Sequence, residues 1–427
     1  MITTNTYIMH TKRYIYTIAL AGIGFNFLAM SVVAQSTPAI FKSAPDTASG
    51  DGFKPHGEIW GQVFGDYYYK AHSDTVGGGR GSSNQYTGVP QNRIAFQFRR
   101  IYLGYNYTFS KRFSAEFLLS SEDDFTSGDL LQDGKIAPYV KWANIRWKEI
   151  YPGADLVIGQ MSTPSFSLLT DKVWSYRSVE RTVADIRRTP SYDFGAAIQG
   201  KFIPGNDNLG YNLMVGNGQT AKPENDSYKW FYDDVYGLFF NRHIIVDLYA
   251  DYERLNWTPT WHHDRHMLKG FIAYNASKIT AGVEAFVNTI HADDVATRRQ
   301  DGKSDTLTNS ASAVSLYIRG SIYKKELSFF ARYDVYNPAG NIDNSKYSKY
   351  TPLTTNYDPN TKEQFVSAGL DWAPLRNVHI MPNVWYNTYS NAGPKNYGTA
   401  NNDYDLVYRL TFTYIFGASP ARFNEFQ

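Results

Sequence analysis

The chain is expected to be an all-β, transmembrane antiparallel barrel of about sixteen strands, because its connectors alternate short and long. Short polar connectors fall at Ser110-Lys111-Arg112, Tyr151-Pro152-Gly153, Pro204-Gly205-Asn206-Asp207, Asn241-Arg242, Asn275-Ala276-Ser277-Lys278, Lys324-Lys325 and Pro374-Leu375-Arg376. Long ones fall near 70–93, 122–135, 162–190, 218–229, 255–265, 291–311, 337–362 and 390–403. Tight turns on the periplasmic side and long loops outside are what such a barrel needs. Composition agrees. Aromatics make up 16% of 427 residues and tyrosine alone numbers 34, as expected where rings sit at both membrane interfaces. Mean hydropathy is nonetheless negative, which argues against a bundle of membrane helices.

The chain divides into a signal segment (1–34), a polar periplasmic leader (35–56), the barrel (57–417) and a C-terminal tail (418–427). Lys12-Arg13, the apolar stretch Tyr14 to Val33, and Ala34 have the order of a secretory signal. Cleavage is placed after Ala34. A retained membrane helix is the alternative, since the apolar run approaches spanning length. Removing Lys12 and Arg13 takes Lys+Arg from 42 to 40, equal to the 40 Asp+Glu. A neutral mature chain gives bulk charge no role in nucleic-acid binding. There is no cysteine, so neither disulfides nor thiolate metal sites arise.

Strand alternation sets an apolar face toward lipid and a polar face toward the lumen. In the last strand Leu406, Tyr408, Leu410, Phe412, Tyr414 and Phe416 share one face, and Val407, Arg409, Thr411 and Thr413 the other. The strand from Ile94 slips phase at Arg99-Arg100, through a bulge or because Arg99 lies beyond the apolar band. The strand near 231–240 is the weakest of the set. These phases place Arg100, Arg146, Lys201, Lys269, Arg319, Arg332 and Arg409 inside, together with acids including Asp66, Glu116, Asp193, Asp247, Asp251, Glu253, Glu284, Asp334 and Asp371. Such a wall is mixed, with no excess of base.

The third long loop differs from the others. Val173, Tyr176, Val179, Val183 and Ile186 recur at helical spacing, while Arg177, Arg181 and Arg188 lie within about 40° of one another on the opposite side. A loop with one packing face and one basic face is suited to fold into the lumen and form a constriction, with Glu180 and Asp185 orienting the arginines. A cluster of Arg attracts anions and phosphate. The competing arrangement is an external loop helix with solvated arginines.

Within this region the chain resembles a known family. Gly159-Gln160 with Pro164 and Phe166, Trp174-Ser175-Tyr176-Arg177-Ser178-Val179-Glu180, Asp185, and Asp193-Phe194-Gly195 are similar to outer-membrane porins of the phosphate-selective porin O and P type, in the form common in Bacteroidota. Arg332-Tyr333-Asp334 with Tyr336 and Pro338, Gly369-Leu370-Asp371-Trp372-Ala373-Pro374, and Pro382-Asn383-Val384-Trp385-Tyr386 continue the resemblance. It implies a sixteen-stranded barrel in the cell outer membrane, a homotrimer in contact with outer-membrane lipid, that passes small polar solutes or anions passively. The last strand departs from the usual pattern, because the chain continues past Phe416. Phe416 or Phe426 is the assembly aromatic, or the tail is an adaptation of its own.

Chemistry is weighed beside transport. His262-His263-Asp264-Arg265-His266 is the densest run of ligand-type residues, and His262, Asp264 and His266 would share one face of a strand. It is expected to be a polar loop-to-strand junction, with no metal site and no cofactor. His291-Ala292-Asp293-Asp294 is read as an external loop, likewise with no metal site. No spacing points to a catalytic set, so the chain is expected not to be an enzyme. The competing functional class is a structural or adhesive barrel with a plugged lumen.

Overall fold

The structure is a computed structural model. It describes residues 52–74, 91–122, 136–167, 169–187, 190–338, 343, 345–352, 361–391 and 404–417. The signal segment, nearly all of the leader, the tail, Arg188, and Asp123-Asp124 lie outside these residues.

Alternating sequences pair here into one closed antiparallel sheet. The strands are β1 (His56–His72), β2 (Ile94–Thr108), β3 (Phe113–Glu122), β4 (Pro138–Tyr151), β5 (Ala154–Ser162), β6 (Tyr192–Ile203), β7 (Asn206–Gly216), β8 (Trp230–Phe239), β9 (Ile244–Thr258), β10 (Trp261–Asn275), β11 (Ile279–Arg298), β12 (Ser304–Tyr323), β13 (Leu327–Asn337), β14 (Tyr347–Pro352), β15 (Thr361–Leu375), β16 (Val378–Asn391) and β17 (Tyr404–Gly417). Each barrel strand pairs with its sequence neighbour, and β13 pairs directly with β15. β17 closes on β1 from Trp60↔Gly417 to His72↔Leu406. Sixteen strands therefore form the wall, and β14 is an extra ribbon in a loop, paired to the end of β11. Closure removes every sheet edge, which a lipid environment demands.

All seven short connectors fall where the sequence places them. Two of the long ones do not. β9 and β10 are joined only by Pro259-Thr260, and β11 runs on to Arg298 before a turn at 299–303. The loops expected at 255–265 and 291–311 are instead strand extensions. Their polar residues suggest loop, yet cross-strand pairing continues there, with polar residues such as His263, Asp293, Asp294 and Asn309 buried.

The outer wall is apolar. Leu248, Leu268, Ile272 and Trp372 are more than half exposed, as they must be to face lipid. Aromatics gather near the short turns, where Phe202 packs on Tyr211 and the Tyr151 and Tyr211 hydroxyls meet at 2.6 Å. Toward the other rim, Tyr67 packs on Phe96 and Tyr386 on Tyr404. These are the two interfacial girdles of a membrane barrel. The last-strand phase is as read, with Val407, Arg409, Thr411 and Thr413 buried inside. The weak strand is present as β8.

The slip in β2 is a bulge. Phe64 sits opposite Arg100 and Gly65 opposite Phe98, so Arg99 is the extra residue of the ladder. Two residues opposing one turn consecutive side chains the same way. Both Arg99 and Arg100 are thereby driven inward and fully buried.

Candidate functional site: the lumen loop

The loop between β5 and β6 lies inside the barrel. Its base is pinched shut, since the Thr163 amide donates to Ser191 O at 3.3 Å and the Thr163 hydroxyl to Pro190 O at 2.6 Å. Short helical turns occupy Pro164–Ser167, Thr170–Trp174 and Val183–Arg187. The continuous helix that the spacing suggests is broken at Ser175, whose φ of 64° is left-handed. The apolar side still seats as expected. Val173, Trp174, Tyr176 and Val179 are buried in one cluster with Phe271, Tyr317, Phe330 and Met381 of the wall. Val183 and Ala184 join a second cluster with Val157, Met161 and Met214.

The broken helix leaves backbone carbonyls without helical donors, and wall arginines supply them. Arg99 donates to Ser178 O at 3.2 Å and also to Val179 O. Arg409 donates to Val179 O at 3.2 Å, Arg319 to Val173 O at 2.9 Å, and Arg332 to Arg181 O. Four strands thus clasp one loop by its main chain. Side chains add to this hold. Lys269 bridges Asp247 (3.2 Å) and the Thr170 hydroxyl (3.1 Å), Tyr176 donates to Asp371 at 3.2 Å, and Arg187 pairs with Glu363 at 2.8 Å.

The expected constriction residues come together, except that Arg188 lies outside the described residues. Arg177 pairs with Asp185 at 2.6 Å and with Asp171 at 3.4 Å. Arg181 reaches Asp185 at 4.0 Å and Glu180 at 3.6 Å. Both guanidiniums keep about a fifth of their surface exposed, whereas Glu180 is buried. Glu180 accepts from Arg99 at 3.1 Å and from the Arg181 amide at 2.8 Å. Burial pushes its carboxyl up, but Arg99, Arg181 and Arg409 outweigh that and hold it at about 2.

Between the Arg177 side of the loop and the wall of β1–β6 and β15–β17 lies a cavity of about 430 Å³. Of the basic residues expected on the lumen wall, Arg146 alone lines it, where it pairs with Asp155 at 3.0 Å and donates to Gln199 at 2.7 Å; of the acids, Glu116 and Asp371 do. Arg100 sits behind the cavity against Glu122 at 3.1 Å. Lys269, Arg319, Arg332 and Arg409 hold the loop. Sequence reading missed Arg99, whose inward turn depends on the bulge. It also missed Lys141, which lines the cavity and bonds Glu122 at 2.5 Å.

Neither a protein-family model nor a curated protein matches this sequence. Solved structures do match its fold. The outer-membrane channel DcaP of Acinetobacter baumannii superposes with a TM-score of 0.57 at 12% identity, over 85% of this chain and 97% of that one. An anion-selective porin from Comamonas acidovorans gives 0.53 at 10% identity, over 85% and 100%. OmpF of Salmonella typhi gives 0.52 at 12%, over 86% and 99%. The closed wall, its lipid-facing apolar band and these likenesses make the chain an outer-membrane β-barrel with the general porin fold.

Proposed function

We propose that the chain is a passive diffusion channel for small polar solutes, preferring anions, of the phosphate-selective porin O and P kind. The observation that carries this reading is the charge turned toward the cavity. Lys141, Arg146, Lys172, Arg177 and Arg376 line it, against Glu116, Asp171 and Asp371. Of the carboxylates that pair with Lys141, Arg146 and Arg177, Glu122, Asp155 and Asp185 do not line it, whereas Asp171 does. Five basic side chains against three carboxylates give this lining a net positive charge, and a lining of this sign focuses anions. The reading assigns no chemical step and no cofactor. The chain assembles as a trimer in this reading, like the trimer form of Vibrio cholerae OmpT, whose barrel superposes with a TM-score of 0.51 at 11% identity.

A plugged structural barrel is the second reading. It is favoured by the clasp on the loop and by wall charges such as Asp66, Lys70, Arg99 and Lys269, which are buried. Liposome swelling separates the two. Vesicles carrying the folded barrel should swell in isosmotic solutions of small sugars and amino acids. Folded barrels that give no swelling with any solute would establish the plug.

A further inference from the structure

We infer that the outer rim of the barrel carries a zinc-type divalent metal site built from Asp264, His266 and His291. The strand register creates it. β10 and β11 pair Arg265 with Ile290 and His266 with Thr289, so continuing the ladder sets Asp264 opposite His291. His266 lies diagonally across from His291, within reach of long side chains. One ligand atom from each of the three can be chosen so that all lie within 4.8 Å of one another.

The three side chains project from the lipid side of the wall. Leu268 and Ile272 on β10, and Val283 and Val287 on β11, are exposed outward. Asp264 and His266 share parity with the first pair, and His291 with the second. Depth follows from the strand. His266 lies nine residues before Asn275, where the β10–β11 turn begins. At about 3.4 Å per residue and a tilt near 40°, it stands about 23 Å above that turn, at the upper edge of the apolar band. The site thus sits where the wall leaves hydrocarbon and meets the polar interface.

The donor set suits zinc. Two imidazoles and one carboxylate are a recognised three-ligand zinc set, with a fourth position open to water. The Asp264 Oδ1 and His291 Nδ1 atoms now meet at 2.5 Å, a hydrogen bond that the metal would replace by displacing its proton. Tetrahedral zinc needs ligand atoms about 3.3 Å apart, so this pair opens slightly and His266 swings inward. The His266 and His291 rings already lie 5.3 Å apart between centroids. Asp264 is buried, whereas His266 and His291 are only partly so, and their rings make both adjustments. His262, on the same face, is not a ligand, because its ring stacks on Trp257 at 4.3 Å. The sequence grouping of His262 with Asp264 and His266 therefore picks two members correctly and misses the third, which only strand pairing supplies.

The test uses the untagged, folded full chain in detergent micelles, titrated with Zn²⁺ by isothermal calorimetry and with Co²⁺ by absorption spectroscopy. One ion per barrel is expected, with the strong visible bands of tetrahedral Co²⁺. His266→Ala and His291→Ala should each weaken binding by more than about 100-fold, beyond what the loss of an outer-shell partner costs. His262→Ala should leave it unchanged. Retained heat-modifiable migration on electrophoresis shows that each variant is folded. Failure to bind either ion at micromolar concentration would overturn the proposal. So would binding that persists in both His variants or is lost in His262→Ala.

Discussion

At the scale of single residues, the most consequential side chain is Arg99, which the bulge turns inward. It ties Glu180 and two loop carbonyls to β2. Arg99→Ala would leave Glu180 buried with its main partner gone, and breaking such a pair costs about 3–5 kcal/mol. Limited proteolysis within 163–191 should become rapid in this variant, and the urea midpoint should fall. Adding Glu180→Gln should recover part of the loss, because the stranded charge is then gone. The same pair sets a pH dependence. The folded value of Glu180, about 2, lies below its ordinary value near 4.5. Its contribution is therefore full above about 4.5 and is lost as pH falls through about 2. Channel currents should be quiet from neutral pH down to about 4.5 and grow noisier from there toward 2. Glu180→Gln should be noisy throughout.

At the scale of elements, glycines at the loop's base set what the strands can do. Gly159 on β5 pairs with Gly195 on β6, which pairs in turn with Gly216 on β7. Gly159 has a φ of 121°, and a Cβ there would lie 2.3 Å from Ala143 O. Gly159→Ala should cost about 1–3 kcal/mol and lower the temperature at which the folded band is lost on electrophoresis. The neighbouring Gln160 contributes a contact rather than a backbone conformation, donating to Val140 O at 2.9 Å. Much of the element plan was legible beforehand. Period-two alternation marks lipid-facing residues such as Tyr408 and Leu410 directly, and turn residues mark the short connectors. The extensions of β9–β12 were not legible, because their buried positions carry polar residues such as His263, Asp293, Asp294 and Asn309, which show no apolar alternation. The loop was read half correctly. Its burial followed from Val173, Tyr176, Val179 and Val183, but its backbone did not follow helical spacing. Arg99, Arg319, Arg332 and Arg409 take its carbonyls, and no local pattern announces partners so distant in the chain. The resemblance motifs now have physical content: Gly159 and Gly195 allow close strand approach, while Arg332 and Asp371 hold the loop.

At the scale of the molecule, the barrel combines a rigid apolar exterior with a lumen divided by one clasped loop. Burial of the loop's apolar side fills the lumen beside β8–β13. A cavity lies on the other side, against β1–β6, where Lys141, Arg146, Lys172 and Arg177 are among the lining residues. In the proposed channel the loop arginines are the gate charges, and the wall arginines hold the loop. The two sets should fail differently when mutated: loss of Arg177 and Arg181 changes which ions pass, whereas loss of Arg99 changes whether the loop stays in place. The reversal potential across a planar bilayer in a salt gradient measures this division most directly, comparing the native chain with Arg177→Ala/Arg181→Ala. An anion-shifted potential in the native channel that collapses toward zero in the double variant, at similar conductance, is the predicted result. A cation-shifted native channel, or an anion shift that survives the double substitution, would contradict it.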